Sequence, residues 1–183
     1  MKPVLARKIL VSFMFFILSF STCLSARLPL TGMNAYELIN GVNSFLIADN
    51  RNFLCTKPIF RNIVDDQKIF ISYIDKKDIH QPINGTILIF ESLSGETSGI
   101  AMSVKLGDKA KYYQYSMTLM AILFACGLST DEATQFVESI KYVDETTLKG
   151  TIWNRTLNRY YTLISPPPTN DINTFMLMAK DRI

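Results

Sequence analysis

The stretch TILIFESLSGETSGIAMSVK, residues 86–105, decides the fold class that the sequence predicts. Thr86–Ser92 and Ser98–Lys105 are rich in β-branched and apolar residues, and Ser94-Gly95-Glu96 between them has the composition of a turn. Upstream, Lys68–Ile74 (KIFISYI) is a third β-branched and aromatic run. Three short strands joined in succession predict an antiparallel sheet.

Helical patterns flank these strands on both sides. Apolar residues recur at helical spacing over Ala35–Ala48, directly after a capping-box sequence. Ala110–Cys126 is apolar nearly all round, which predicts a buried central helix that ends at Gly127. Ser129–Glu132 (STDE) is a second capping box and predicts the start of a shorter helix.

The C-terminal part of the chain has strand character again. Thr147–Trp153 and Arg159–Ile164 flank a short turn, and Thr174–Ala179 follows a segment with three prolines. The element order is therefore α-β-β-β-α-α-β-β-β. Such segregated runs predict an α+β fold, an antiparallel sheet with the helices packed on one face.

The first 26 residues have the layout of a secretory signal. A basic start is followed by the apolar run Ile9–Phe20 and by mostly small residues up to Ala26. The run is shorter than the roughly 20 residues that a membrane-spanning helix needs. We expect cleavage after Ala26, or alternatively after Ser25, which leaves residues 27–183 as a single domain in the periplasm or extracellular space. An uncleaved anchor and a lipid anchor on Cys23 are the rival interpretations.

Charge excludes two classes of partner for the cleaved chain. The full chain has 19 Lys and Arg and 16 Asp and Glu, and three of the basic residues lie in the signal segment. The remainder has no net charge. Nucleic-acid binders and proteins that attach to anionic lipid need a basic surface, so neither a nucleic acid nor a membrane is expected as a partner after cleavage.

Two cysteines, Cys55 and Cys126, remain in this part of the chain. An even pair in an oxidising compartment predicts a disulfide, which would stabilise the domain by at most about 4 kcal/mol. The alternative is two separate buried thiols, because free cysteine is common in apolar surroundings.

Reactive side chains are sparse. His80 is the single histidine of the chain and has no second histidine or cysteine near it in sequence, so no zinc site is predicted. No nucleophile motif and no phosphate loop is present, and no metal or cofactor is expected. The candidates for carboxylate chemistry are Asp65, Asp66, Asp75, Asp78 and Glu91.

A group of aromatic and basic residues lies in the predicted C-terminal hairpin. Its members are Trp153, Arg155, Arg159, Tyr160 and Tyr161. Trp, Tyr and Arg dominate the energetic centres of protein interfaces, so this hairpin is the candidate partner-binding site. The alternative is ordinary packing, with Trp153 and one tyrosine in the core and the arginines solvated.

The leading functional hypothesis is an exported, non-enzymatic domain that binds another protein, as an inhibitor, an immunity-type factor or an assembly factor. A homodimer is also open. Two other classes remain as alternatives. One is a cell-wall or glycan hydrolase that uses two of the carboxylates, and the other is a carrier of a small apolar ligand.

Overall fold

A computed structural model describes residues 28–76, 85–105, 109–155, 157–166 and 172–180. The predicted signal segment, residues 1–26, lies outside the described residues, as do Asp78, His80 and the side chain of Asp75.

Three helices and nine strands make up the described chain. The helices are α1 (Ala35–Ala48), α2 (Lys109–Ala125) and α3 (Thr130–Ser139). The strands are β1 (Phe53–Cys55), β2 (Ile59–Val64), β3 (Gln67–Lys76), β4 (Gly85–Ser92), β5 (Thr97–Lys105), β6 (Lys141–Tyr142), β7 (Leu148–Asn154), β8 (Arg159–Ser165) and β9 (Ile172–Lys180).

All described strands belong to one antiparallel sheet in the order β1-β3-β4-β5-β9-β8-β7-β6. Each half of the chain forms its own run of hairpins, and the two halves meet where β5 pairs with β9. At one edge β3 has two partners, since β1 pairs with its C-terminal part and β2 with its N-terminal part. The last two-residue strand, β6, forms the opposite edge.

The main core lies between one face of this sheet and the three helices. Phe70, Ile89, Met102 and Leu177 contribute to it from the strands, and Leu123 is fully buried in it from α2. The expectation of a buried central helix is therefore confirmed. No helix in the described ranges is long and apolar enough to span a membrane.

Helix α1 begins where its capping box predicts. The Asn34 side chain accepts hydrogen bonds from the N–H groups of Tyr36 and Glu37, and the Glu37 carboxylate accepts one from the Asn34 N–H. The contact between α1 and α2 explains why position 41 is a glycine. A Cβ added there would lie 3.3 Å from the Cβ of Ala125, so glycine permits the close approach of the two helices.

A second, smaller apolar cluster occupies the opposite face of the sheet. Its buried members are Ile69, Ile71, Leu88, Phe90, Ala101 and Met176, with side chains of β2 and β9 packed at its margin. Successive side chains along the central strands belong alternately to the two clusters, because they point to opposite faces of the sheet.

The structure confirms the α+β fold with an antiparallel sheet. The predicted element order matches closely, and the predicted helix over Ala35–Ala48 has the same bounds in the structure. Three strands were missed, β1, β2 and β6. Two of these are only two or three residues long, and β2 contains an irregularity that hides its alternation.

Candidate protein-binding edge

The predicted hairpin forms, but its five candidate residues divide between the two faces of the sheet. Trp153 and Tyr160 are direct cross-strand partners, and their rings meet edge to face with centroids 4.8 Å apart. Both side chains are half-buried on the face opposite the helices. Arg155 is exposed at the turn and attracts Glu132, whose pKa is lowered first by hydrogen bonds from Ser129 and then by Arg155.

The other two candidates, Arg159 and Tyr161, bind residues 29 and 30, which we call the N-terminal segment of the domain. The fully buried Tyr161 hydroxyl lies within hydrogen-bonding reach of the carbonyl oxygens of Leu30 and Cys126. The Arg159 guanidinium donates to the Pro29 carbonyl oxygen. Burial raises the pKa of Tyr161, so the phenol stays a neutral donor. These contacts occupy both side chains within the domain.

The expected disulfide is not present, because Cys55 and Cys126 are both free and buried. Cys55 lies at the end of β1, where its backbone N–H and C=O both bond to the Asn43 side chain at 2.8 Å. Cys126 directly follows α2 and contacts Tyr161 through its carbonyl oxygen. Both thiols belong to the main core cluster and are not bonded to each other. Burial raises the pKa of each to about 12, which makes them unreactive at neutral pH.

The described carboxylates do not converge on a cleft. Asp65 and Asp66 form the exposed two-residue turn between β2 and β3, both with positive φ. Glu91 is buried, but its oxygens accept a hydrogen bond from the Ala35 N–H at the start of α1 and pair with Lys68 Nζ at 3.2 Å. Within the described ranges, no three His, Cys, Asp or Glu side chains are grouped closely enough to hold a metal ion.

A small apolar cavity lies between α2 and the centre of the sheet. Leu119, Ile122 and Phe175 are among its lining residues, and its volume is about 10 Å³. A space of that size is about that of one water molecule, whereas pockets for small-molecule ligands hold hundreds of cubic ångströms. This cavity gives no support to the ligand-carrier hypothesis.

Strand β2 forms an exposed apolar edge. Among the described strands it pairs with β3 alone. Three of its six side chains are large, apolar and about half exposed, namely Ile59 (47%), Phe60 (50%) and Ile63 (51%). We call Ile59–Val64 the β2 edge. Soluble proteins commonly protect such edges with charge or cover. Arg61 is the one charged side chain of β2, and the apolar side chains around it mark a site where another strand can add.

An aromatic cluster stands behind this edge on the helix side. Phe60 and Tyr36 each meet the buried Phe70 ring edge to face, both with centroids 5.7 Å apart. The Lys57 ammonium lies 5.7 Å from the centre of the Tyr36 ring. Because Phe70 is fixed in the core, the cluster holds the exposed Phe60 and Tyr36 rings in place. A partner at this edge would meet a preorganised surface.

The sequence contains a local signal for the β2 edge. The runs IFRNIV and QKIFISYI are separated by exactly Asp65-Asp66, and two β-rich runs joined by two residues are typical of a hairpin. Both turn residues have φ near +50° to +60°, as a type I′ turn requires, and aspartate tolerates that conformation.

Comparison with known proteins gives no relative for this chain. No protein-family model, no curated protein and no solved structure matches it. The functional argument therefore rests on the residues and their geometry.

Proposed function

We propose that this chain is an exported, non-enzymatic domain that works by binding a protein through the β2 edge. The observation that carries the proposal is an edge strand with half-exposed apolar side chains on both faces, Phe60 and Ile63 on the helix face and Ile59 on the other. An added strand gains main-chain hydrogen bonds from such an edge and side-chain contacts from the residues along it.

Two features of the edge favour recognition over incidental exposure. Phe60 and Ile63 lie on the same face of one short strand, whereas scattered exposed apolar residues are ordinary. The rings of Phe60 and Tyr36 are also braced against Phe70, which lowers the entropy that a partner's binding would cost.

The proposed location outside the cytoplasm rests on the N-terminal sequence layout. The hairpin residues Trp153 and Arg155 remain a second proposed contact, on a different surface of the domain.

The test is capture of partners by the tagged, exported chain, compared with a variant of the edge. Ile63→Lys places a charge on the β2 edge at a half-exposed position, where we expect little change in folding stability. Val143→Lys is the matched control, since Val143 is exposed to a similar degree outside the β2 edge. Trp153→Ala tests the hairpin in the same experiment.

We expect the wild type and Val143→Lys to retain the same stoichiometric partner, and Ile63→Lys to lose it. Retention by Ile63→Lys at wild-type level would refute the edge as the binding site. Loss in Trp153→Ala alone would move the site to the hairpin. Thermal unfolding of each variant separates loss of binding from loss of fold.

A further inference from the structure

We propose that the β2 edge pairs with the β2 edge of a second copy of this chain, antiparallel about a twofold axis. The inference rests on the proposed function, in that it takes the β2 edge to be a protein-binding site, and it names the partner. It follows from three properties of β2: the faces on which its side chains lie, the charges at its ends, and its length.

The pairing of β2 with β3 assigns each side chain to a face. Phe60 lies opposite Phe70 and Ile63 opposite Lys68, and both of these β3 residues face the helices. Ile59 lies opposite Ile71, which belongs to the cluster on the other face.

An irregularity after Phe60 makes this pattern possible. In a regular strand, residues three apart point to opposite faces, but the register shift between Phe60 and Asn62 inserts one extra residue. Phe60 and Ile63 therefore share the helix face, and Ile59 and Val64 share the other face.

This arrangement is self-complementary. When two β2 strands run antiparallel with Phe60 opposite Ile63 of the second copy, Ile59 lies opposite Val64 of the second copy. Both pairs join apolar side chains on the same face, and each pair occurs twice by symmetry. The Ile63 N–H now donates to the Asn62 side chain at 2.8 Å, and that bond would be exchanged for one to the added strand.

The end charges fit the same register. Continuing the alignment outward places Lys57 opposite Asp66 of the second copy, again twice. Both side chains are exposed, and eight residues of strand and turn lie between them within one chain, so they lie at opposite ends of β2. A parallel arrangement would instead set lysine beside lysine and aspartate beside aspartate. These end charges favour the antiparallel twofold pairing over the parallel one.

The length of the edge limits the strength of the dimer. One strand of six residues with three half-exposed apolar side chains offers less area than the roughly 1,600 Å² of a standard interface. We therefore expect a reversible dimer with a dissociation constant of about 1–100 µM, which is the range to cover by sedimentation equilibrium of the processed chain.

The decisive experiment uses two charge reversals, Lys57→Glu and Asp66→Lys. Each variant alone carries two like-charge contacts in the twofold dimer, and we expect its self-association to weaken about tenfold. An equal mixture of the two variants forms a heterodimer in which glutamate meets lysine and lysine meets aspartate. We expect that mixture to associate about as tightly as the wild type.

Asp66 has φ of 60°, a conformation that lysine adopts less readily than aspartate. Asp66→Asn is the companion variant, because asparagine tolerates this backbone and only removes the charge; its self-association should fall by less than that of Asp66→Lys. Circular dichroism and thermal unfolding identify any variant that is not folded.

A dimer in the wild type together with preferential heterodimer formation in the mixture supports the inference. A wild type that stays monomeric at the highest concentration overturns it, and so does a dimer whose association is indifferent to both reversals. The proposed function fails separately. A monomer that captures a different protein in an Ile63-dependent manner leaves that function standing while this inference is lost.

Discussion

Removing the hydroxyl of Tyr161 should release the N-terminal segment of the domain. The Tyr161 side chain is completely buried, and its hydroxyl faces the carbonyl oxygens of Leu30 and Cys126. Leu30 is also completely buried, and its N–H donates to the Thr97 carbonyl oxygen at 2.7 Å. Tyr161→Phe keeps the ring in the core and deletes only the donor.

The expected loss of folding free energy follows from the carbonyl oxygen that Tyr161→Phe leaves without a donor. A hydroxyl has one proton, so the variant loses one full hydrogen bond and leaves a buried carbonyl oxygen without its donor. Leaving a buried polar group unsatisfied costs about 1–3 kcal/mol, and we expect the free energy of unfolding to fall by about 2 kcal/mol. For a domain of this size that lowers the midpoint of thermal unfolding by about 4–8 °C.

Two assays on the chain expressed without residues 1–26 check this expectation. Urea unfolding gives the change in free energy, and amide hydrogen exchange reports on the Leu30 and Thr31 N–H groups, which both bond to Thr97. Tyr160→Phe is the matched control. The Tyr160 ring lies on the opposite face of the same strand and is half-buried against Trp153. We expect the loss of its hydroxyl to change the free energy of unfolding by no more than about 0.5 kcal/mol.

The reasoning is refuted if Tyr161→Phe unfolds at the same urea concentration as the wild type. It is also refuted if exchange at Leu30 is no faster than in Tyr160→Phe. In either case the hydroxyl would not be what holds the segment to the sheet.

The remaining predictions concern the buried cysteines and two local contacts. The pKa of Cys55 and of Cys126 is raised to about 12 in the folded chain, so the unfolded chain loses these protons first. The two thiols therefore contribute their full stabilisation below the ordinary thiol pKa, and the free energy of unfolding falls by about 3 kcal/mol between about pH 8 and about pH 10. A urea midpoint that stays constant over this range would contradict the burial of both thiols. Under non-reducing denaturing conditions, thiol labelling of the processed chain should modify both cysteines, and labelling of neither would show a bridge. Gly150→Ala should lower the free energy of unfolding by about 1–3 kcal/mol, because the added methyl would lie 2.6 Å from the Ile140 side chain. Gly32→Ala is the control: its methyl would meet nothing within 4 Å, so we expect the thermal midpoint to stay unchanged. Asn43→Ala should lower the free energy of unfolding by about 2 kcal/mol in urea titrations, because it removes both bonds to the backbone of β1, and an unchanged midpoint would show that these bonds add nothing net.

Elements with strong local signals could be predicted from the sequence. Helices α1 and α3 begin at capping boxes whose hydrogen bonds all form, because the groups involved are at most three residues apart. The strands β3 to β5 and β7 to β9 are continuous β-rich runs, and each was found to within two residues of its ends. Local chemistry was sufficient for these.

Features that depend on distant contacts could not be predicted. The Tyr161 hydroxyl bonds to a carbonyl 131 residues away, and nothing in the sequence around it distinguishes it from Tyr160. The cysteines show the same limit. Their number and predicted compartment favour a bridge, but only the three-dimensional structure shows that both thiols are free and buried.

The β2 edge was not predicted as a candidate site because residue type does not determine exposure. Tyrosine is a residue type common at interfaces, yet Tyr161 is completely buried. Phenylalanine and isoleucine are typical of cores, yet Phe60 and Ile63 are half exposed. The strand also escapes a search for alternation. One inserted residue after Phe60 turns a spacing of three into a shared face, so a regular period of two assigns Ile63 to the wrong side. The same inserted residue gives β2 its twofold self-complementarity, and the feature that hid the edge from sequence reasoning is therefore the feature on which the proposed dimer depends.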